Sequence, residues 1–386
     1  MLTLIKNADL FSPESLGPGC VLVGGGKILY AGSEVPEIDA SLLTQSLDLQ
    51  GAILVPGLID AHVHSTGGGG EDGFASQVPA VELSQFTRFG VTSVVGLLGA
   101  DDETRSTANL LARTRALREE GLSAWCWTGG YHLPLTTLTG SARKDIVHID
   151  CVIGIGELAI SDHRSSQPTF DELARLASEA YTAGLISGKA GVLHLHLGDG
   201  ERGLELVQRL LTETELPARV FHPTHVNRQK TLFDEACELS RQGVTIDLTA
   251  FPVESDDELS AEDAWVLYTG RDCPPGNITV SSDSGGCLPS FDENKNLTGM
   301  GVGTSCSLME WLRELSDRGY ALEQILPAVT SNVAGLLKLE KKGRIVVGAD
   351  ADLVCLDGSL NVSHVMAMGQ WMVRDGVPIR KGNFED

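Results

Sequence analysis

The chain has 386 residues, 52 of them acidic and 29 basic for a net charge of −23, with 44 glycines, 8 cysteines and 5% aromatic residues. That balance excludes nucleic acid and anionic membrane surfaces as partners, since both are held by basic patches. A hydrophobic content of 42% with 21% charge excludes a disordered chain, and no window approaches the ~18 uninterrupted apolar residues of a membrane span.

The N-terminus, MLTLIKNADLFSPES, lacks a basic region followed by an apolar one, so a secretory signal is not expected. The cysteines are scattered without a CxxC pair, which reads as reduced thiols in a cytoplasmic protein. VLVGGGKILYAGS (21–33) is apolar, turn, apolar, with a hairpin at Gly24–Gly26, and LDLQGAILVPG (47–57) repeats that style. The last residues, GRIVVGADADLVCLDG and HVMAMGQWMVRDGVPI, read the same way. The spacing predicts one small β domain built from 1–56 and 342–386.

Between these ends, apolar runs fall at 58–64, 91–98, 124–129, 151–160, 192–197, 219–226, 244–249 and 278–283. Helix-period segments separate most of them, among them 103–120, 171–183, 200–214 and 229–242, and two more helices are predicted over 305–318 and 321–338. Strands alternating with helices give a parallel sheet, and eight such units predict a closed, TIM-like (β/α)8 barrel over 57–341.

A barrel of this kind works at the C-terminal ends of its strands. The first run ends in His62-Val63-His64, and residues two apart on a strand share a face. The fourth carries Glu157 inside GIGELAI, where an unpaired carboxylate would cost several kcal/mol, so it must be paired or bound to metal. His196 ends the fifth run, His225 the sixth and Asp283 the eighth. Each alone reads as an ordinary core or capping residue. Together, at the same ends of five strands, they predict a site for zinc or a similar divalent ion. His194 lies one layer deeper and reads as structural, His222 as locally packed, and His132 as a pocket residue. Gly67–Gly70 lacks the Lys-Ser/Thr of a phosphate loop and reads as a close approach of backbone to ligand.

PGLIDAHVH, the barrel-end His, His and Asp, and GRIVVGADADLVCLD resemble the amidohydrolase superfamily. HVHSTGGGGEDG (62–73), GVTSVVGLLG (90–99), TGGYHLP (128–134), TGSARKDI (139–146), AISDHRS (159–165), HLGDG (196–200), PTHVNR (223–228) and SSDSGG (281–286) resemble its isoaspartyl dipeptidases in particular. The resemblance implies two divalent metal ions, with zinc expected. His62, His64 and Asp283 would hold the more buried ion, and His196 and His225 the second. It also implies substrate handling by Glu71, Tyr131, Arg164 and Arg228, and assembly into a homo-oligomer. Two departures stand out. Glu157 occupies the slot where the family usually has a bridging carboxylated lysine. Cys287 stands where the family tends to have a hydroxyl.

The expected activity is hydrolysis of the β-aspartyl bond of small acidic dipeptides. A two-metal centre bridged by Glu157 would generate hydroxide, Asp283 would shuttle the proton, and Tyr131 would serve the oxyanion. A β-aspartyl dipeptide has one ammonium and two carboxylates, which matches Glu71 with Arg164 and Arg228. The alternatives are an amidohydrolase of the hydantoinase or dihydroorotase type, an N-acyl amino acid deacylase, and a non-catalytic barrel.

Overall fold

Eight short parallel strands organise the middle of the chain: β1 (Leu58–Val63), β2 (Val91–Gly96), β3 (Ser123–Thr128), β4 (Val152–Ile160), β5 (Val192–Leu197), β6 (Phe221–Thr224), β7 (Ile246–Thr249) and β8 (Ile278–Ser281). The computed structural model describes residues 2–39, 41–253, 257–292 and 296–385. Nearly every strand residue is buried, as expected where helices cover one face of a parallel sheet and side chains fill the other. All eight fall on the apolar runs of the sequence.

Hydrogen bonding divides the ring into two arcs. β1 to β6 form one parallel sheet in chain order, and β7 and β8 pair separately. Single links join the arcs: Val226 N to Asp247 O at 3.4 Å, a Val63–Ser284 bridge, and His64 N to Ser284 O at 2.8 Å. The ring is thus an interrupted barrel. β6 and β7 have only four residues each, and Pro223 in β6 has no N–H to give.

The helices begin where caps place them. Thr107–Glu120 starts after Ser106, whose hydroxyl accepts from Asn109 N, and ends at Gly121 with φ 103°. Phe170–Ser187 opens with a Thr169–Glu172 capping box. Glu205–Glu213, Lys230–Arg241 and Cys306–Asp317 follow expectation. The segment 321–338 does not form one helix. It splits into Leu322–Ile325, a 3-10 turn Leu326–Val329 and Ser331–Leu336, because Pro327 cannot continue an α-helical hydrogen-bond ladder.

Both termini enter one nine-stranded sheet, joined where Ile53–Pro56 runs antiparallel to Leu353–Leu356. The hairpin between Ser15–Gly24 and Lys27–Gly32 turns at Gly25 and Gly26, with φ 59° and 77°, the conformation of a two-residue type I′ turn. An antiparallel hairpin that the sequence did not suggest, Cys287–Phe291 with Leu297–Val302, follows β8.

Candidate metal centre

β1 delivers both of its histidines to one point. The rings of His62 and His64 are 5.6 Å apart. His62 Nε2 is 3.4 Å from Asp283 Oδ1 and 3.6 Å from Glu157 Oε1, and His64 Nε2 is 3.1 Å from Asp283 Oδ1. His225 Nε2 lies 3.2 Å, and His196 Nδ1 2.6 Å, from Glu157 Oε1. The six residues named as ligands from sequence therefore converge, with Glu157 between the His62/His64/Asp283 side and the His196/His225 side.

The backbone serves this convergence. His225 and Asp283 both adopt left-handed φ, 60° and 53°, a conformation uncommon for non-glycine residues, though aspartate and histidine take it more readily than most. Each turns inward just past its strand. His225 is further held by its Nδ1, 2.6 Å from Thr249 Oγ1.

Beneath the site runs a chain of imidazoles. His62 Nδ1 is 2.8 Å from His194 Nε2, His194 Nδ1 is 2.9 Å from His222 Nδ1, and His222 Nε2 is 3.0 Å from Thr279 Oγ1. Trp127 stacks on His194 at 5.2 Å. Burial pushes His194 well below the ordinary imidazole range and His222 to about 4, so both stay neutral and serve to orient His62. The structural reading of His194 holds, and His222 packs locally as expected.

The donor set fits a divalent cation. Among the described residues, His62 Nε2, His64 Nδ1, Glu157 Oε2 and Asp283 Oδ1 are buried side-chain atoms without a hydrogen-bond partner. Such orphans call for a ligand. His62, His64 and Asp283 offer ligand atoms within 4.8 Å of one another, as do His62, Glu157 and His225. The electrostatics agree. Burial opposes ionisation of Glu157 and Asp283, yet the surrounding imidazoles hold both well below the usual carboxylate range. Burial also opposes protonation of His62, and the two carboxylates reverse it, raising His62 to about 9. A pocket with two ionised carboxylates recruits positive charge, and a metal supplies it.

On the open side, Tyr131 Oη lies 2.7 Å from His196 Nδ1. Burial and the Glu157 charge raise its phenol well above the ordinary value. The guanidinium of Arg164 sits 5.6 Å above the Tyr131 ring, and its Nη1 donates to Glu71 Oε1 at 2.6 Å. Cys287 lies beside Glu71, and burial together with that carboxylate pushes its thiol to about 12. Arg228 is half-buried in the turn after His225, where its charge adds to the burial that lowers His225 to about 3.

The glycine loop also has a packing cause. Gly67 has φ 80°, and a Cβ there would lie 1.9 Å from Val78 O. Gly68 N donates to Gly285 O and Val78 N to Gly68 O. The glycines let the loop bearing Glu71 pack against two neighbouring segments, and Arg105 clasps it by donating to the carbonyls of Thr66, Gly68 and Val78.

Two acids escaped the sequence reading. Asp162 pairs with Arg164 and His196. Asp102 holds His132 Nδ1 at 2.9 Å, while His132 Nε2 reaches Arg164 O at 3.0 Å. The signal for Asp162 lay in SDHRS, beside the arginine already singled out.

Fold and site define a class: the chain belongs to the amidohydrolase family, which residues 53–372 match. Within that class it is similar over the full length of both chains to a crystal structure of beta-aspartyl dipeptidase from Fervidobacterium islandicum AW-1 in complex with beta-Asp-Leu dipeptide, with 41% identity and a TM-score of 0.93. A second structure of the dipeptidase from that organism gives 39% and 0.90. An allantoinase of Deinococcus radiodurans is 24% identical, over 90% of this chain and 85% of its own.

Proposed function

We propose that this chain is a metal-dependent dipeptidase that hydrolyses the β-aspartyl bond of isoaspartyl dipeptides. The observation that carries the reading is the Glu71–Arg164 pair at the mouth of the metal centre. It presents one anion and one cation side by side, as an α-amino acid head group requires. The full-length similarity to a dipeptidase that holds beta-Asp-Leu points the same way, whereas the allantoinase is a distant relative.

His62, His64 and Asp283 would hold one ion, His196 and His225 another, and Glu157 would bridge them. Four imidazoles and two carboxylates suit zinc. Bound there, two such ions supply Lewis acidity toward the scissile carbonyl and lower the pKa of water.

The remaining chemistry belongs to the chain. Glu71 takes the substrate ammonium, and Arg164 and Arg228 take carboxylates through their planar donors. A zwitterion satisfies Glu71 and Arg164 at the moment it separates them, so neither is left uncompensated. Tyr131, protonated at neutral pH, donates to the oxyanion that develops on the carbonyl. Asp283, held ionised, accepts a proton at a carboxylate oxygen and returns it to the leaving amine. Cys287 borders the same subsite. The terminal strands, 1–56 with 342–386, form a supporting β domain beside the barrel of 57–341. The protein acts as a homo-oligomer in the cytoplasm.

A panel of α- and β-linked aspartyl dipeptides, run with metal quantification, tests the reading. Cleavage of β-Asp-Leu without α-Asp-Leu is expected. An intact β-Asp-Leu alongside hydrolysis of a cyclic amide would overturn it.

A further inference from the structure

Asp162 follows the end of β4, is 3% exposed, and lies between His196 and Arg164. Its Oδ1 accepts from Arg164 N at 2.6 Å and from Arg164 Nε at 3.0 Å. Its Oδ2 is 2.7 Å from Arg164 Nη2 and 2.9 Å from His196 Nε2. One carboxylate thus holds both the guanidinium expected to grip substrate and an imidazole expected to grip metal. The neighbouring His163 is 3.7 Å away and pairs with Asp199 at 3.0 Å.

The fold is arranged to keep it there. His196 pairs with Ala159 and Leu197 with Ile160 across β5 and β4. Just beyond, Gly200 N donates to Ser161 O at 2.7 Å, and Ser161 Oγ donates to Gly200 O at 2.9 Å. The carboxylate rests on Gly198, where an added Cβ would fall 2.3 Å from Asp162 Cβ and from Oδ2. Two strand ends are therefore stitched together around this one side chain.

We propose that Asp162 is a positioning residue that fixes the metal ligand His196 and the substrate-binding Arg164 in one act; the inference rests on the function proposed above. An imidazole has two nitrogens and, when neutral, one proton. With Nε2–H donated to Asp162 Oδ2, the lone pair of Nδ1 faces Glu157 Oε1 at 2.6 Å and the Tyr131 hydroxyl at 2.7 Å, the side on which a metal would be held. A carboxylate that orients a ligating histidine in this way also raises its basicity, and its loss costs about 10- to 100-fold in metal affinity. The opposite edge of the same carboxylate aligns the Arg164 guanidinium with Glu71, so occupancy of the metal site and capture of the dipeptide share one support.

Asp162→Asn separates this from a merely structural role. The amide keeps the shape but turns a donor toward either His196 or Arg164. Facing His196, it favours the tautomer with the proton on Nδ1, which cannot ligate. Zinc titration of the metal-free full-length protein should show one of two sites weakened by about 10- to 100-fold, and KM for β-Asp-Leu should rise at least about tenfold in zinc-saturated enzyme through Arg164. Arg164→Met should raise KM while both zinc affinities stay at the wild-type value. Gly198→Ala, which displaces the carboxylate without removing its charge, should reproduce both losses and stands in if Asp162→Asn does not fold. Wild-type zinc affinities and KM in a folded Asp162→Asn or Gly198→Ala protein would overturn the proposal. Wild-type protein that takes up no zinc or leaves β-Asp-Leu intact would instead overturn the function it rests on.

Discussion

Arg164 and Glu71, 93 residues apart in the chain, meet at 2.6 Å over the metal centre. Both side chains are about 85% buried, at 15% and 16% exposure, so the pair is worth more than a surface ion pair and leaves a costly orphan if one partner is lost. Glu71→Gln should therefore raise KM for β-Asp-Leu, by the ~1.5–3 kcal/mol of a hydrogen bond to a charged group, or about 10- to 150-fold. N-acetyl-β-Asp-Leu, which has no ammonium, should be a poor substrate of both proteins with nearly equal constants. Steady-state kinetics on the two substrates gives the answer, and an equal loss on both would remove Glu71 from ammonium binding.

Tyr131 offers a complementary test on the reaction step. Its hydroxyl lies 2.7 Å from His196 Nδ1, and burial keeps it protonated at neutral pH. Tyr131→Phe should lower kcat by about 10²- to 10³-fold, the usual effect of removing one oxyanion donor, with KM changed little. A loss confined to KM would assign the hydroxyl to ground-state binding instead.

Much of this site was legible because its chemistry is tied to strand ends. His62 and His64 reveal themselves by spacing, and Glu157 by being a carboxylate in a buried run. Asp283 and His225 are legible at the ends of β8 and β6, although their left-handed backbone is not: aspartate and histidine are enriched in that conformation, yet most of them do not adopt it. Asp162 and Asp102 escaped because their partners, Arg164, His196 and His132, are set by loops whose path no periodicity encodes. The Gly67–Gly70 loop was recognised as special, but the reason, contact with Val78 and Gly285, is a tertiary one. The hairpin after β8 and the break at Pro327 were missed because short strands and split helices lack a full period.

Metal removal should reveal the orphaned atoms of the centre. His62 Nε2, Glu157 Oε2 and Asp283 Oδ1 are buried without partners, so ions bound to the folded state alone stabilise it by mass action, about 2.7 kcal/mol at a hundredfold excess over Kd. Chelation should lower the Tm by several degrees and zinc should restore it. Elemental analysis should find close to two ions per chain, and Glu157→Ala should reduce that number. A value of one with full activity would sink the dinuclear reading.

His132 gives a dependence on pH. Its hydrogen bond to the Asp102 carboxylate raises its pKa from the ordinary 6.5 against opposing burial. Protonated, it can donate from both nitrogens, to Asp102 Oδ1 and to Arg164 O. A group whose folded pKa is raised contributes fully below its unfolded value and loses that contribution as pH climbs through the folded one. The Tm difference between wild type and Asp102→Asn should thus be largest below about pH 6.5 and shrink on the alkaline side. Because the ring is 37% exposed, solvent screens the effect. A difference that stays flat across this window would show that the imidazolium adds nothing.

Lys342 ties the terminal sheet to the barrel, and its removal should be felt in stability rather than in chemistry. Its Nζ lies 2.5 Å from Asp352 Oδ2, 2.9 Å from Asp350 Oδ2 and 2.6 Å from Ser123 Oγ at the start of β3. The lysine and both acids are at most 9% exposed. Burial already raises the pKa of Asp352, and the lysine charge opposes that rise. Lys342→Met preserves the length of the side chain while leaving the buried Asp352 without its cation, a change that typically costs about 3–5 kcal/mol, whereas Asp350 keeps its pairing with Lys27. Thermal unfolding should shift down by several degrees with kcat and KM for β-Asp-Leu retained in the folded fraction. Asp352→Asn in the same background should recover part of the loss, because it removes the stranded charge itself. A double variant no more stable than Lys342→Met would mean that the lysine acts through packing alone.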